Sequence, residues 1–254
     1  MPVKRTRKKK TGDAVGAGLT AKQMRRKKPI NNDFLVDIKP LTPNQERLFN
    51  DYARGKNIFT YGAAGTGKTF IVLYNAIKDV LSEITPYTKV YIVRSLVATR
   101  EIGFLPGDHE DKSFLYQIPY KNMVKYMFEM PTDTDFEMLY GNLKQQETIS
   151  FWSTSFLRGT TFDDAIIIID ECQNLNFHEL DSIITRVGEN CRIHFCGDAN
   201  QTDLIKQNEK NAILDFMKIL EQMESFSMIE FDVNDIVRSG LCKEYLKTKL
   251  ALGM

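Results

Sequence analysis

Apolar residues in this chain fall into short continuous runs separated by stretches of helical spacing. The runs at 56–61, 89–94, 148–151, 165–169, 192–196 and 227–231 predict six β-strands. Over 68–81 the residues Ile71, Val72, Ala76 and Val80 recur at helical spacing, and over 176–187 Phe177, Leu180, Ile183, Ile184 and Val187 form one stripe. Residues 211–223 read as a further helix. Ile166, Ile167, Ile168 and Ile169 are consecutive, which suits a strand buried on both faces, as in a parallel sheet. The alternation predicts an α/β fold with a mostly parallel sheet and helices on both faces. Helix 176–187 then serves as a right-handed crossover, and the ligand cleft opens at the carboxyl ends of the strands.

Composition adds one domain and one asymmetry. With 254 residues, 43% hydrophobic and 26% charged, the chain has material for a single good core. The net charge of +1 hides a split: residues 1–28 carry 11 basic groups against Asp13, a net of +10, so the remainder carries 23 against 32, a net of −9. The first segment has almost no large apolar residue to offset the entropy of ordering, so 1–38 is expected to be a basic, disordered arm and 39–254 the folded domain. Such arms contact phosphate backbones; a solubilising tail leaning on the acidic body is the alternative. No run approaches the roughly 20 apolar residues that span a bilayer, and the start lacks the apolar stretch of a signal peptide. The expectation is a cytoplasmic protein without a membrane partner, in the host cytoplasm if a virus encodes it. Cys191, His194 and Cys196 are close in sequence but fall within an expected buried strand, so a core role outweighs a metal site.

The chemistry is concentrated at the ends of the apolar runs. Gly62-Ala63-Ala64-Gly65-Thr66-Gly67-Lys68-Thr69 has the G-x-x-x-x-G-K-[ST] spacing of a phosphate-cradling loop between strand and helix. Glycines let successive N–H groups face phosphate oxygens, and the helix N-terminus adds a favourable dipole. Lys68 is expected to reach the β- and γ-phosphates and Thr69 to hold Mg²⁺, which implies ATP or GTP as ligand. Asp170 and Glu171 close the isoleucine run, the first suited to the metal shell and the second to general-base work. Gly197-Asp198-Ala199-Asn200-Gln201 closes the next run; if the two strands are neighbours, Gln201 comes near the γ-phosphate, where an amide orients water.

With these motifs in place, the chain resembles the PhoH-like family, whose RecA-like P-loop NTPase core is related to superfamily 1 helicases. The resemblance also rests on Leu41-Thr42-Pro43-Asn44-Gln45, Gly103-Phe104-Leu105-Pro106-Gly107-Asp108, Phe156-Leu157-Arg158-Gly159-Thr160-Thr161, Asp170-Glu171-Cys172-Gln173-Asn174, Thr185-Arg186-Val187-Gly188 and Asp235-Ile236-Val237-Arg238-Ser239. It implies that Gln45 reads the adenine edge, favouring ATP, and that Arg238 or Arg186 stabilises transition-state charge, one of them on a neighbour's nucleotide in a homo-oligomer such as a hexameric ring. It further implies ATP hydrolysis coupled to single-stranded nucleic acid, RNA favoured over DNA. Arg94, Arg100 and Arg158 are the expected contacts; Tyr91, Phe104, Phe151 and Trp152 are aromatic options for stacking. Some family members carry an N-terminal nuclease domain. Here the residues before the core lack an acidic cluster, so no ribonuclease activity is expected, nor is there room for a second motor domain. Two departures stand out: Cys172 follows the two acids where the family has a small apolar residue, and Arg94-Ser95-Leu96-Val97 lacks proline. The competing reading is a nucleotide-dependent switch or scaffold with slow hydrolysis, against which Glu171 argues, since a switch needs no base. A small-molecule kinase is a third, without a lid-like arginine cluster to support it.

Overall fold

Strand pairing places the isoleucine run inside the sheet, not at its rim. In the computed structural model, residues 30, 32–95, 109–154, 157, 159–198 and 207–252 are described, with backbone alone at 109–114, 207–211 and 250. Six strands, β1 (Asn57–Gly62), β2 (Lys89–Arg94), β3 (Ile149–Ser153), β4 (Ala165–Asp170), β5 (Arg192–Cys196) and β6 (Phe226–Phe231), form a sheet in the order 3-2-4-5-1-6. Every pairing is parallel. β5 therefore lies between β1, which carries the glycine loop, and β4, which carries the acids.

Side chains alternate across this sheet as a two-residue period requires. Ile166 and Ile168 enter one core with Ile58, Val90 and Ile92, while Ile167 and Ile169 enter the other with Phe59, Val93, Ile193 and Phe195. Each fully buried isoleucine contributes about 1.5–3 kcal/mol, which is why four in succession define an inner strand. The first core is covered by α1 (Pro43–Ala53), α2 (Lys68–Leu81), α3 (His109–Phe128) and α4 (Asp133–Gln145). The second is covered by α5 (Phe177–Ile184) and α6 (Gln207–Glu221), and α7 (Gly240–Ala251) follows β6.

The helix expected over 176–187 is shorter than its apolar stripe. Asn176 caps α5 in a capping box with Glu179, but the helix stops at Ile184. Beyond it the Phe162 N–H donates to Arg186 O at 3.0 Å and the Gly188 N–H to Phe162 O at 2.8 Å. Pairing with the segment before β4 thus replaces the last helical turn. At the other end, the packed chain reaches back into the segment assigned to the arm: Ile30 is buried, and the Val36 N–H donates to Met127 O at 2.9 Å. Among the described residues no helix is long and apolar enough to cross a membrane.

Candidate functional site

Gly62 ends β1 with φ +105°, and a Cβ there would lie 2.1 Å from the Phe231 carbonyl oxygen. Only glycine lets the loop leave the sheet so close to the end of β6. The close approach is used, since the Ala63 N–H donates to that carbonyl at 2.8 Å. The buried Thr66 hydroxyl donates to Ala63 O at 3.0 Å and braces the turn. Lys68 folds back over the loop, its Nζ donating to Ala63 O at 2.6 Å and Gly62 O at 2.9 Å. Burial lowers its pKa, against the pull of Asp198, Glu171 and Asp170. An ammonium resting on two neutral carbonyls gains by exchanging them for phosphate oxygens, because charge-assisted hydrogen bonds are stronger.

Across the cleft stand the two acids. Asp170 Oδ1 accepts from the Thr69 hydroxyl at 2.8 Å, and Oδ2 accepts from the Tyr120 hydroxyl at 2.5 Å. Burial raises the Asp170 pKa while those two donors oppose the rise. Burial, followed by the Asp170 charge, raises the Tyr120 pKa, so its hydroxyl remains the donor. Glu171 has φ +54°, a left-handed conformation that costs a residue with a Cβ roughly 1–2 kcal/mol. Its Oε2 accepts from Gln173 Nε2 at 2.6 Å, and its Oε1 lies 3.7 Å from the Arg94 guanidinium. Gln173, itself buried, accepts the Asp198 N–H on Oε1 at 3.0 Å. Gly197 makes this bridge possible, since a Cβ there would stand 2.7 Å from Cys172 Sγ and 2.9 Å from Gln173 Oε1. The second acid is thereby tied to the end of β5.

Arg238 arrives from beyond β6. The Val237 N–H donates to Gly65 O at 3.1 Å, and a Cβ on Gly65 would meet Arg238 Cγ at 2.8 Å and Leu246 of α7 at 3.6 Å. Loop residues 64–69, Arg94, Tyr120, Asp170, Glu171, Gly197, Asp198 and Arg238 enclose a cavity of about 410 Å³. A second cavity of about 810 Å³, lined by Ile38, Leu41, Tyr126 and Met130 among others, shares Phe70 with the first. Gln45, 3% exposed, stands beside the loop: Nε2 donates to Thr66 O at 2.8 Å and Oε1 accepts the Leu41 N–H at 2.8 Å. One N–H and one lone pair of its amide remain to be used.

The fold thus brings together Gln45, the loop from Gly62 to Thr69, Asp170, Glu171 and Arg238. Arg94, expected to contact nucleic acid, faces this same cavity. Arg186 does not reach it; it lines a separate cavity of about 710 Å³ with Thr154, His178 and Ser182. Gln201, Arg100, Arg158, Phe104 and residues 1–28 lie outside the described residues. The aromatic options within them belong to internal packing: Tyr91 and Trp152 meet Phe162 with ring centroids 4.8 and 5.8 Å apart, and Phe151 meets Tyr120 at 5.4 Å. His194 and Cys196 are core residues of β5, with His194 Nδ1 accepting the Ile58 N–H at 3.1 Å and burial pushing the Cys196 thiol up to about 12. Two site residues escaped the sequence reasoning as site residues. Gln173 had a signal, an amide two positions beyond the second acid, whereas nothing local marks Tyr120, a helix residue whose partner is in β4.

A family model described as "PhoH-like protein" matches residues 37–249. The PhoH-like protein of Mycobacterium leprae is 28% identical over 208 residues, covering 82% of this chain and 57% of that protein. Protein PhoH of Escherichia coli K12 is 30% identical over 190 residues, covering 74% of this chain and 51% of that protein. The chain thus spans about half the length of these curated relatives. Among solved structures, the large terminase of a thermophilic bacteriophage in complex with ADP aligns at TM-score 0.46 and 11% identity, covering 82% of this chain and 50% of that one, a likeness too low to argue from.

Proposed function

This chain belongs to the PhoH-like protein family, and from that premise we propose that it is a Mg²⁺-dependent ATPase that binds single-stranded nucleic acid, RNA rather than DNA, and remodels it or moves along it in a helicase-like manner. One observation carries the reading: Lys68, the Thr69–Asp170 pair and Glu171 line a single cavity at the carboxyl edge of the sheet.

The glycine loop and the N-terminus of α2 suit the phosphates, with Lys68 leaving its two carbonyls to pair with them. The Thr69 hydroxyl and the Asp170 carboxylate, 2.8 Å apart, are an all-oxygen pair that fits a hard cation taking few protein ligands, as Mg²⁺ does. Bound there, Mg²⁺ would neutralise charge on the β- and γ-phosphates. Glu171 takes a proton from the attacking water as the water oxygen bonds to the γ-phosphorus. The bond to the β,γ-bridging oxygen breaks with its electrons on ADP, and phosphate leaves. Gln201 orients that water, and Arg238 stabilises the developing charge from the same chain, which leaves Arg186 the candidate for a neighbour's nucleotide in a homo-oligomeric ring. The adjoining cavity at Leu41 and Phe70 would take the nucleoside, with the spare groups of Gln45 reading adenine. Arg100, Arg158 and the basic arm are the proposed nucleic-acid contacts, and the cytoplasm is the proposed compartment. Residues 39–254, with the packed stretch at Ile30 and Val36 added, would form the working domain, and the basic residues before it the arm.

The test is steady-state ATP hydrolysis with Mg²⁺, with and without single-stranded RNA or DNA, using Lys68→Ala as control. Lys68-dependent turnover raised by RNA is expected. Lys68-dependent turnover that neither polymer changes would favour the second reading, a nucleotide-dependent switch or scaffold with slow hydrolysis. That reading draws support from Glu171, whose two oxygens are both engaged.

A further inference from the structure

We propose that Arg94 is a γ-phosphate-responsive positioning residue: it holds Glu171 while the cavity lacks a triphosphate, and turns to the γ-phosphate when one arrives, releasing the base. The inference rests on the nucleotide reading above and deepens it.

Register places the groups at one level. Arg94 is the last residue of β2 and stands opposite Asp170 on β4, so it ends its strand directly beside the two acids. Its guanidinium is 3.7 Å from Glu171 Oε1 and 5.7 Å from the centre of the Tyr116 ring. The Arg94 side chain keeps 30% of its exposure and that of Glu171 keeps 36%, so this pair is solvent-screened and weak. Glu171 is gripped more firmly on its other side, where Gln173 donates at 2.6 Å and is anchored in turn by the Asp198 N–H. A stronger anion in the cavity therefore removes the Arg94 contact without dislodging the Glu171 backbone or its Gln173 bond.

The charges lining the cavity show why exchange occurs. Among the described residues Lys68, Arg94 and Arg238 face Asp170, Glu171 and Asp198, three cations against three carboxylates. Before a ligand enters, these charges balance and Arg94 has a carboxylate to occupy it. A triphosphate stays anionic even with a divalent cation bound, so a cation must change partner. Lys68 and Arg238 already lie against the loop. Arg94 is the cation held by a carboxylate that the reaction needs free, and its planar fork suits phosphate oxygens. The face of Tyr116, on α3, keeps the guanidinium inside the cavity during the exchange. Glu171 Oε1 is thus open to the attacking water with ATP bound and covered by Arg94 with ADP bound.

The experiment measures equilibrium binding of ADP and of a non-hydrolysable ATP analogue, each with Mg²⁺, to the full chain and its variants. Arg94→Gln is expected to bind ADP within about twofold of wild type and the analogue about tenfold more weakly, as for loss of a charged hydrogen bond. Arg94→Lys recovers part of that loss. Glu171→Gln frees Arg94 from its carboxylate, so analogue affinity rises several-fold, and the rise disappears in the Arg94→Gln/Glu171→Gln double variant. Equal losses for the two nucleotides, no loss for either, or a Glu171→Gln gain that persists without Arg94 overturns the proposal. Unchanged affinity for both nucleotides with weakened binding of single-stranded RNA would assign Arg94 to the nucleic-acid path instead. A wild-type chain that binds neither nucleotide sinks the nucleotide reading itself, and this inference with it.

Discussion

Arg192 and Arg94 are both arginines at strand ends in one sheet, yet they are held by different kinds of partner. Arg192, at the amino end of β5, is 7% exposed, and its guanidinium donates to Tyr52 O at 2.9 Å and Lys56 O at 2.6 Å. It lies 3.5 Å from Asp79 and 3.9 Å from the centre of the Tyr52 ring, while the Tyr52 hydroxyl donates to Asp79 at 3.0 Å. Arg94, at the carboxyl end of β2, has the Glu171 side chain at 3.7 Å and a tyrosine face. An arginine bonded to main-chain carbonyls in the interior cannot leave them without unfolding something, whereas one beside a half-exposed carboxylate can. The amino edge of the sheet is thus locked and the carboxyl edge is exchangeable, although both are rich in charge.

Substitutions that separate stability from nucleotide handling will break this contrast if it is wrong. The largest expected effect is on the exchangeable edge: Lys68→Ala should lower kcat/KM by about three orders of magnitude, or ~4 kcal/mol, for loss of a phosphate-stabilising donor, with little change in urea unfolding. Next comes the locked edge, where Arg192→Met should cost about 3 kcal/mol of unfolding free energy by leaving Asp79 and two carbonyls without their partner, with nucleotide affinity unchanged. A weakened nucleotide affinity in that variant would mean that the two edges communicate. Glu171→Gln should reduce turnover by about two orders of magnitude, or ~2.7 kcal/mol, while ADP still binds. Wild-type turnover would remove its role as base.

The smallest effect is a pH slope. His194 is buried against Tyr52, with ring centroids 5.0 Å apart, and burial, helped by the charge of Arg192, holds its pKa well below the usual 6.5. The unfolded chain therefore takes up a proton below about pH 6.5 that the folded chain refuses, so stability is full above that pH and falls as pH drops. The slope should be about 1.4 kcal/mol per pH unit. His194→Asn, whose carbonyl can still accept the Ile58 N–H, should flatten it. Asp79 and Asp170, whose burial raises their pKa, act in the opposite direction as pH approaches the carboxylate range. An unchanged slope in His194→Asn would place the titration elsewhere.

These contrasts also mark what the sequence could disclose. The glycine loop, the isoleucine run and the two acids are local patterns, and each falls on the expected strand or turn. Periodicity reports that a face is buried but not what it is buried against. Nothing near Arg192 in sequence indicates Asp79 or the Tyr52 carbonyl. Tyr120 escaped notice for a related reason. It follows Pro119 in α3, where apolar residues form no clear stripe, and its acid is reached only once β4 is in place. β4 and β5 are neighbours, with Asp170 opposite Cys196. The full strand order had no local signature, because it is decided by which buried faces fit together.

The position of β5 has a dimensional consequence. Neighbouring strands are about 4.8 Å apart, so one strand inserted between β1 and β4 sets the strand ends that carry the phosphate loop and the acids roughly 10 Å apart. The gap is gauged by main-chain hydrogen bonding, not by any side chain. Substitution at either lip alters what the slit does to its contents but leaves its width alone. Natural variation in this fold can therefore explore chemistry freely at fixed bore, and only a change in the strand pairing itself would resize it.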